Sequence, residues 1–121
     1  MNLETLKASR KDGLTAECRK AIVEGFTCGD RYYKCSITDQ LNYGATLSLL
    51  RTGTQESLPV LCQDIDTGQW AAEEHTLSMI EGVLASYLTH VMTKKSNLIS
   101  KKELIDEATS KEDVQAITRE G

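Results

Sequence analysis

Phe26-Thr27-Cys28-Gly29-Asp30-Arg31-Tyr32-Tyr33-Lys34-Cys35 decides the fold class of this chain. Gly29-Asp30 is a two-residue turn led by glycine, between runs rich in aromatic and β-forming residues, which is the preference of a type II′ hairpin. In that register Cys28 faces Arg31, Thr27 faces Tyr32 and Phe26 faces Tyr33. Cys35 then falls opposite Glu24, so Cys28 and Cys35 are not disulfide partners.

Upstream, the segment from Asn2 to about Glu24 reads as a helix. Leu3, Leu6, Leu14, Cys18, Ala21 and Ile22 recur at spacings of three, four and seven, with charged residues between them. Gly13 costs this helix roughly 1 kcal/mol relative to alanine and is a point at which it could divide. The apolar stripe is thin before Leu14, as expected of a frayed end or of a helix completed by a partner. Leu3, Leu6, Arg10 and Leu14 are therefore candidate contact residues, and Gly25 is placed to end the helix.

Downstream, Ser36-Ile37-Thr38-Asp39 has the form of a capping box and opens a helix that should run to about Arg51. Its expected core residues are Leu41, Ala45, Leu47, Ser48 and Leu49. After a polar loop, Leu58-Pro59-Val60-Leu61-Cys62-Gln63 reads as a strand, with Pro59 confined to its start or to an edge. The turn lies in Asp64-Ile65-Asp66-Thr67-Gly68-Gln69, and Trp70-Ala71-Ala72 returns as the paired strand. One loop length pairs Ile65 with Trp70 and another pairs Asp64 with Trp70. Phe26 and Trp70 are the expected aromatic anchors of the core.

Leu77, Leu84, Val91, Leu98 and Ile105 recur every seven residues, joined by Ile80, Tyr87, Leu88 and Ala108. One helix from about Glu74 to Ala108 accommodates them, and a break near Ser96 to Ser100 is the main alternative. Ser110-Lys111-Glu112-Asp113 starts a short terminal helix containing Val114 and Ile117. The expected fold is thus α+β, with two short β-hairpins packed with an N-terminal helix, a short central helix and a long C-terminal helix. Residues 1–24 form the contact helix and residues 25–121 the α+β domain.

The composition narrows the function. The 121 residues are 40% hydrophobic and 26% charged, the balance of a folded domain rather than a disordered chain. A net charge of −4, with acidic residues following Lys94, Lys95, Lys101 and Lys102, argues against a nucleic-acid partner. No apolar run reaches membrane-spanning length, and the first residues lack a signal-peptide pattern, so synthesis in a cytoplasm is expected. Cys18, Cys28, Cys35 and Cys62 show no metal-ligand spacing and suit buried thiols.

Catalysis has little to work with. His75 and His90 fall at the start of the long helix and within it, while Glu73 and Glu74 suit that helix's first turn. Asp64 and Asp66 suit a turn. No metal or cofactor is expected, and a thiol enzyme or regulator built on Cys28, Cys35 and Cys62 is the remote alternative. Gln40 and Asn42, polar side chains at the start of the central helix, join the candidate contact residues as a bridge to another element or chain.

Ala21-Ile22-Val23-Glu24-Gly25-Phe26, the Gly29-Asp30 turn with Tyr33, Thr38-Asp39-Gln40-Leu41-Asn42-Tyr43-Gly44, Trp70 and His90 together resemble a domain-of-unknown-function family of small tailed-bacteriophage proteins. The likeness extends to Leu104-Ile105-Asp106-Glu107-Ala108-Thr109 and Asp113-Val114-Gln115-Ala116-Ile117. Asp39-Gln40 is contiguous where the family carries a spacer, so Gln40 and Asn42 align better than Asp39. The resemblance implies a protein of the tail or tail-fibre module that contacts other phage tail or fibre proteins. It further implies residence in the virion tail after synthesis in the host. The expected function is a virion structural protein, homo-oligomeric through its N-terminal helix. A tail or fibre assembly chaperone that leaves the finished particle is the alternative.

Overall fold

A computed structural model describes residues 2–117. The elements follow in the order α1 (Leu3–Glu24), β1 (Phe26–Cys28), β2 (Arg31–Tyr33), α2 (Ile37–Arg51), β3 (Leu58–Asp64), β4 (Trp70–His75), α3 (Leu77–Glu107) and α4 (Lys111–Ala116). The fold is α+β, and its two hairpins join into one four-stranded antiparallel sheet in the order β1-β2-β3-β4. Val23–His90 forms one compact unit, and residues 2–22 with 91–117 belong to the other. The end of α3 and α4 group with α1, whose Lys7, Arg10 and Lys11 side chains bond to Asp106 and Ile117. Residues 1 and 118–121 of the expected domains lie outside the described residues.

In the unit of residues 2–22 and 91–117, α1 is one uninterrupted helix through Gly13, and it buries Leu14, Cys18 and Ala21. The Cys18 thiol donates to the Lys94 carbonyl at 3.5 Å. Lys7 Nζ donates to the Asp106 carbonyl at 3.0 Å, and Lys11 pairs with the Asp106 carboxylate at 2.8 Å. Ser110 caps α4 by accepting from the Asp113 amide, and Val114 is fully buried. Ile117, expected within α4, is its C-cap.

In the Val23–His90 unit the first hairpin has the expected register, Phe26 with Tyr33, Thr27 with Tyr32 and Cys28 with Arg31. Gly29 has φ of +64° while no non-glycine residue described has positive φ, so the turn is of the II′ kind and not I′. Gly25, at φ +132°, could not carry a side chain, because a Cβ there would meet the Tyr32 hydroxyl and lie 2.6 Å from the Tyr33 carbonyl oxygen. The second hairpin corrects the expected registers, since Gln63 pairs with Trp70. Asp64 closes the loop, accepting at Oδ1 from the amides of Asp66 and Thr67, while its amide donates to the Gln69 carbonyl. This Asx turn draws Asp64 out of a position opposite Trp70.

β4 also extends further than expected. It runs to His75, opposite Leu58, so Glu73 and Glu74 are strand residues rather than the first turn of α3. Pairing along the whole of β3 outweighs their preference for a helix start. α3 begins at Leu77 behind Thr76, whose hydroxyl accepts from the Met79 amide, and continues unbroken to Glu107.

One face of the sheet builds the core. Phe26, Tyr33, Val60 and Cys62 pack with Cys35, Tyr43, Leu50, Ile80 and Val83. Phe26 stacks on Tyr33 with ring centres 5.6 Å apart and meets Tyr43 edge-on at 6.3 Å. Trp70, expected as the second anchor, is instead 41% exposed on the opposite face of the sheet. Its register partner Gln63 points the same way, since directly paired residues share a face.

Candidate interaction surface

The rotation of α2 about its own axis determines what the Val23–His90 unit shows to its surroundings. The capping box forms in both directions, with Ser36 Oγ accepting from the Asp39 amide and Asp39 Oδ2 accepting from the Ser36 amide. Gln40 then clamps the first turn. Its Nε2 donates to the Cys35 carbonyl at 3.0 Å, and its Oε1 accepts from the Tyr87 hydroxyl at 2.8 Å. One turn later the Tyr43 hydroxyl donates to the Lys34 carbonyl at 2.5 Å.

These bonds turn Gln40, Tyr43, Leu47 and Leu50 inward, spaced three, four and three residues apart. The opposite ridge, Ile37, Leu41, Ala45 and Leu49 at intervals of four, faces outward. Ile37 is 72% exposed, Leu41 69% and Leu49 52%. The expected core face of α2 is thereby corrected: of Leu41, Ala45, Leu47, Ser48 and Leu49, only Leu47 packs against the core. Counting aliphatic residues missed that a glutamine and a tyrosine, each finding a polar partner, mark the buried side.

A cleft of about 280 Å³ opens beside this ridge. Ala45 and Leu49 of α2 line one wall and Pro59 and Leu61 of β3 the other, with Lys34 and Asn42 at the rim. Asn42 is exposed there, whereas Gln40 is committed to the clamp within its own chain.

The other candidate residues lie in α1. Leu14 is 1% exposed and offers no side-chain surface. Arg10 donates through Nε and Nη2 to the Ile117 carbonyl at 3.0 and 2.7 Å, capping the end of α4, and approaches Glu17 at 3.8 Å. Leu3 and Leu6 are half-buried. The structure thus gathers Asn42 with the α2 ridge and leaves Leu3 and Leu6 as the accessible apolar residues of the N-terminal set.

Sequence reasoning missed His75, which is fully buried at the end of β4. A carbonyl can only accept, so the 2.8 Å contact with the Glu73 carbonyl fixes the proton on Nδ1. Nε2 shares a hydrogen bond with the Tyr33 hydroxyl at 2.7 Å. The signal was available in the alternation of β3, because a strand that pairs Gln63 with Trp70 reaches His75 at Leu58.

Burial shifts phenols and thiols of this core toward their protonated forms. Burial pushes the Tyr33 phenol up to about 12 and raises Tyr43 as well. Burial also raises the Cys35 thiol, against the opposing bond from Gln40, and raises Cys62. A thiol with raised pKa is a poor nucleophile at neutral pH. All four cysteines are free. Among the described residues no three His, Cys, Asp or Glu side chains are grouped to hold a metal ion, and no helix is long and apolar enough to cross a membrane.

No family model matches the chain, and comparison with curated proteins and with solved structures finds no similar protein.

Proposed function

We propose that this chain is a structural protein of a bacteriophage tail or tail-fibre module and acts through protein–protein contacts rather than catalysis. The observation that carries the contact role is the ridge Ile37, Leu41, Ala45 and Leu49, exposed beside the cleft at Pro59 and Leu61. A folded domain gains stability by turning such residues inward, so a row of them kept outside suits a surface that a partner covers. The raised thiols of Cys35 and Cys62 favour the same reading over thiol chemistry. The phage assignment rests on the resemblance carried by Gly25-Phe26, Gly29-Asp30, Gln40, Asn42, Trp70 and His90. Partners are other tail or fibre proteins, met in the host cytoplasm and retained in the virion.

Mass spectrometry of purified phage particles tests this directly. Recovery of the chain in fixed ratio to a tail protein is the expected result. Its absence from particles whose assembly nevertheless requires it would replace the structural role with that of an assembly chaperone. Leu41→Ser, which changes only the exposed ridge, should lower incorporation while leaving the fold intact.

A further inference from the structure

The sheet ends at β4, and no strand among the described residues pairs with its far side. Trp70 to Glu74 are all exposed. The direction of their backbone groups follows from the hairpin register. The Asp64 amide donates to the Gln69 carbonyl, so those two residues form a hydrogen-bonded pair. Hydrogen-bonded pairs alternate with non-bonded ones along an antiparallel ladder. Ala71, Glu73 and His75 therefore bond to β3, while the amides and carbonyls of Trp70, Ala72 and Glu74 point away from the sheet. The missing N–H of Pro59 fits this pattern, because Pro59 is opposite Glu74 in a non-bonded pair.

We infer that a second copy of this chain pairs with β4 along this edge, antiparallel, with Ala72 opposite Ala72 on a two-fold axis. Backbone edges recruit strands, and the register here is self-complementary. Trp70 stands opposite Glu74 of the second copy, Ala72 opposite Ala72, and Glu74 opposite Trp70. All three pairs use outward-pointing groups. Shifting the strands so that residue 73 lies on the axis would set Glu73 opposite Glu73, which like-charge repulsion disfavours. Shifting the other way would place residue 71 on the axis and lose the bonds of Glu74 within β4.

Charge selects the same register. Lys34 Nζ lies 5.0 Å from the centre of the Trp70 ring, so positive charge sits beside the position that the second copy's Glu74 approaches. Tyr32 meets Trp70 edge-on at 6.0 Å and supports that ring from the sheet's own face. Ser57 Oγ donates to Glu74 Oε1 at 2.7 Å and holds the carboxylate on its strand. The small side chains of Ala71 and Ala72 leave the centre of the edge open to close approach. The inference stands on β4 and Lys34 alone and is independent of a phage origin.

Amide exchange of the full chain, read residue by residue at increasing concentration alongside light scattering, tests it. As dimer forms, the amides of Trp70, Ala72 and Glu74 should slow at least tenfold, whereas those of Ala71, Glu73 and His75 should stay at their monomer rates. Glu74→Lys should weaken the dimer roughly tenfold, and adding Lys34→Glu should restore it. A chain that stays monomeric at millimolar concentration overturns the inference. So does a dimer whose Trp70, Ala72 and Glu74 amides remain open, or one that Glu74→Lys leaves unchanged.

Discussion

The two faces of the four-stranded sheet carry similar residues and do different work. Phe26, Tyr33, Val60 and Cys62 lie on one face and are buried; Tyr32, Leu61 and Trp70 lie on the other, with Leu61 47% and Trp70 41% exposed. Both faces are aromatic and aliphatic, so hydrophobicity alone does not separate them. What separates them is the cover. The inner face receives α2 and the first half of α3 through Tyr43, Leu50, Ile80 and Val83. The lesson extends to α2, whose inner side is partly polar and whose outer ridge is aliphatic.

The largest effect should come from the centre of the inner face. Phe26 touches Tyr33, Tyr43, Tyr87 and His90, so Phe26→Ala should cost about 3–5 kcal/mol in urea unfolding. A loss below about 1 kcal/mol would show that the inner face is not the core.

Leu49 and Leu50 sharpen the comparison on α2, because they are adjacent and chemically identical. Leu50 is 4% exposed and Leu49 52% exposed. Leu50→Ala should destabilise by about 2–4 kcal/mol, and Leu49→Ala by less than about 1 kcal/mol. Equal losses would mean that α2 is turned differently about its axis.

These two residues also show how far the sequence could be read. The hairpin at Gly29-Asp30 and the helix start at Ser36 were legible, because each depends on a local rule, a positive φ and a reciprocal cap. The presence of a long α3 was legible from its seven-residue repeat, whereas its continuity through Ser96 was left open. The facing of α2 was not, since Leu41 and Leu49 outnumber Tyr43 as apolar signals while the decisive bonds reach outside the helix, to the Lys34 carbonyl just before it and to the distant Tyr87. Trp70 failed for the same reason. A strand exposes one residue in two, and nothing local says which face an element elsewhere in the chain will cover. Of the candidate contacts, Asn42 was legible as a polar residue on an exposed helix start, but Leu14 was not recognisable as core.

The Tyr33–His75 pair supplies a smaller effect with a pH signature. Tyr33→Phe removes the hydroxyl hydrogen-bonded to His75 Nε2 and should cost about 1–3 kcal/mol at pH 8, because the buried ring nitrogen is left without its partner. Burial pushes the Tyr33 phenol up to about 12, from about 10 for an exposed tyrosine. The unfolded chain therefore loses this proton first, and the stability contributed by burying the neutral phenol is full below pH 10 and is lost as the pH rises through 12. The Phe variant has no such group. Its deficit relative to wild type should shrink by about 1 kcal/mol between pH 8 and pH 11, and a deficit that stays constant would contradict the burial of Tyr33 as the cause.

Trp70→Ala should have the smallest effect, and it is the most informative about the outer face. The substitution removes an edge contact with Tyr32 and the ring beneath Lys34, interactions worth about 1 kcal/mol together at a partly exposed site. In dilute protein, where β4 has no second strand, the loss should stay near that value. As concentration rises and β4 pairs, Trp70 comes to lie opposite Glu74 of the second copy, and the same substitution should cost more. A large loss already present in dilute solution would mean that the outer face is covered by this chain itself, and the two faces would no longer differ in kind. A small loss that grows with concentration would show that what distinguishes the faces is the source of their cover, one supplied within the chain and the other by association.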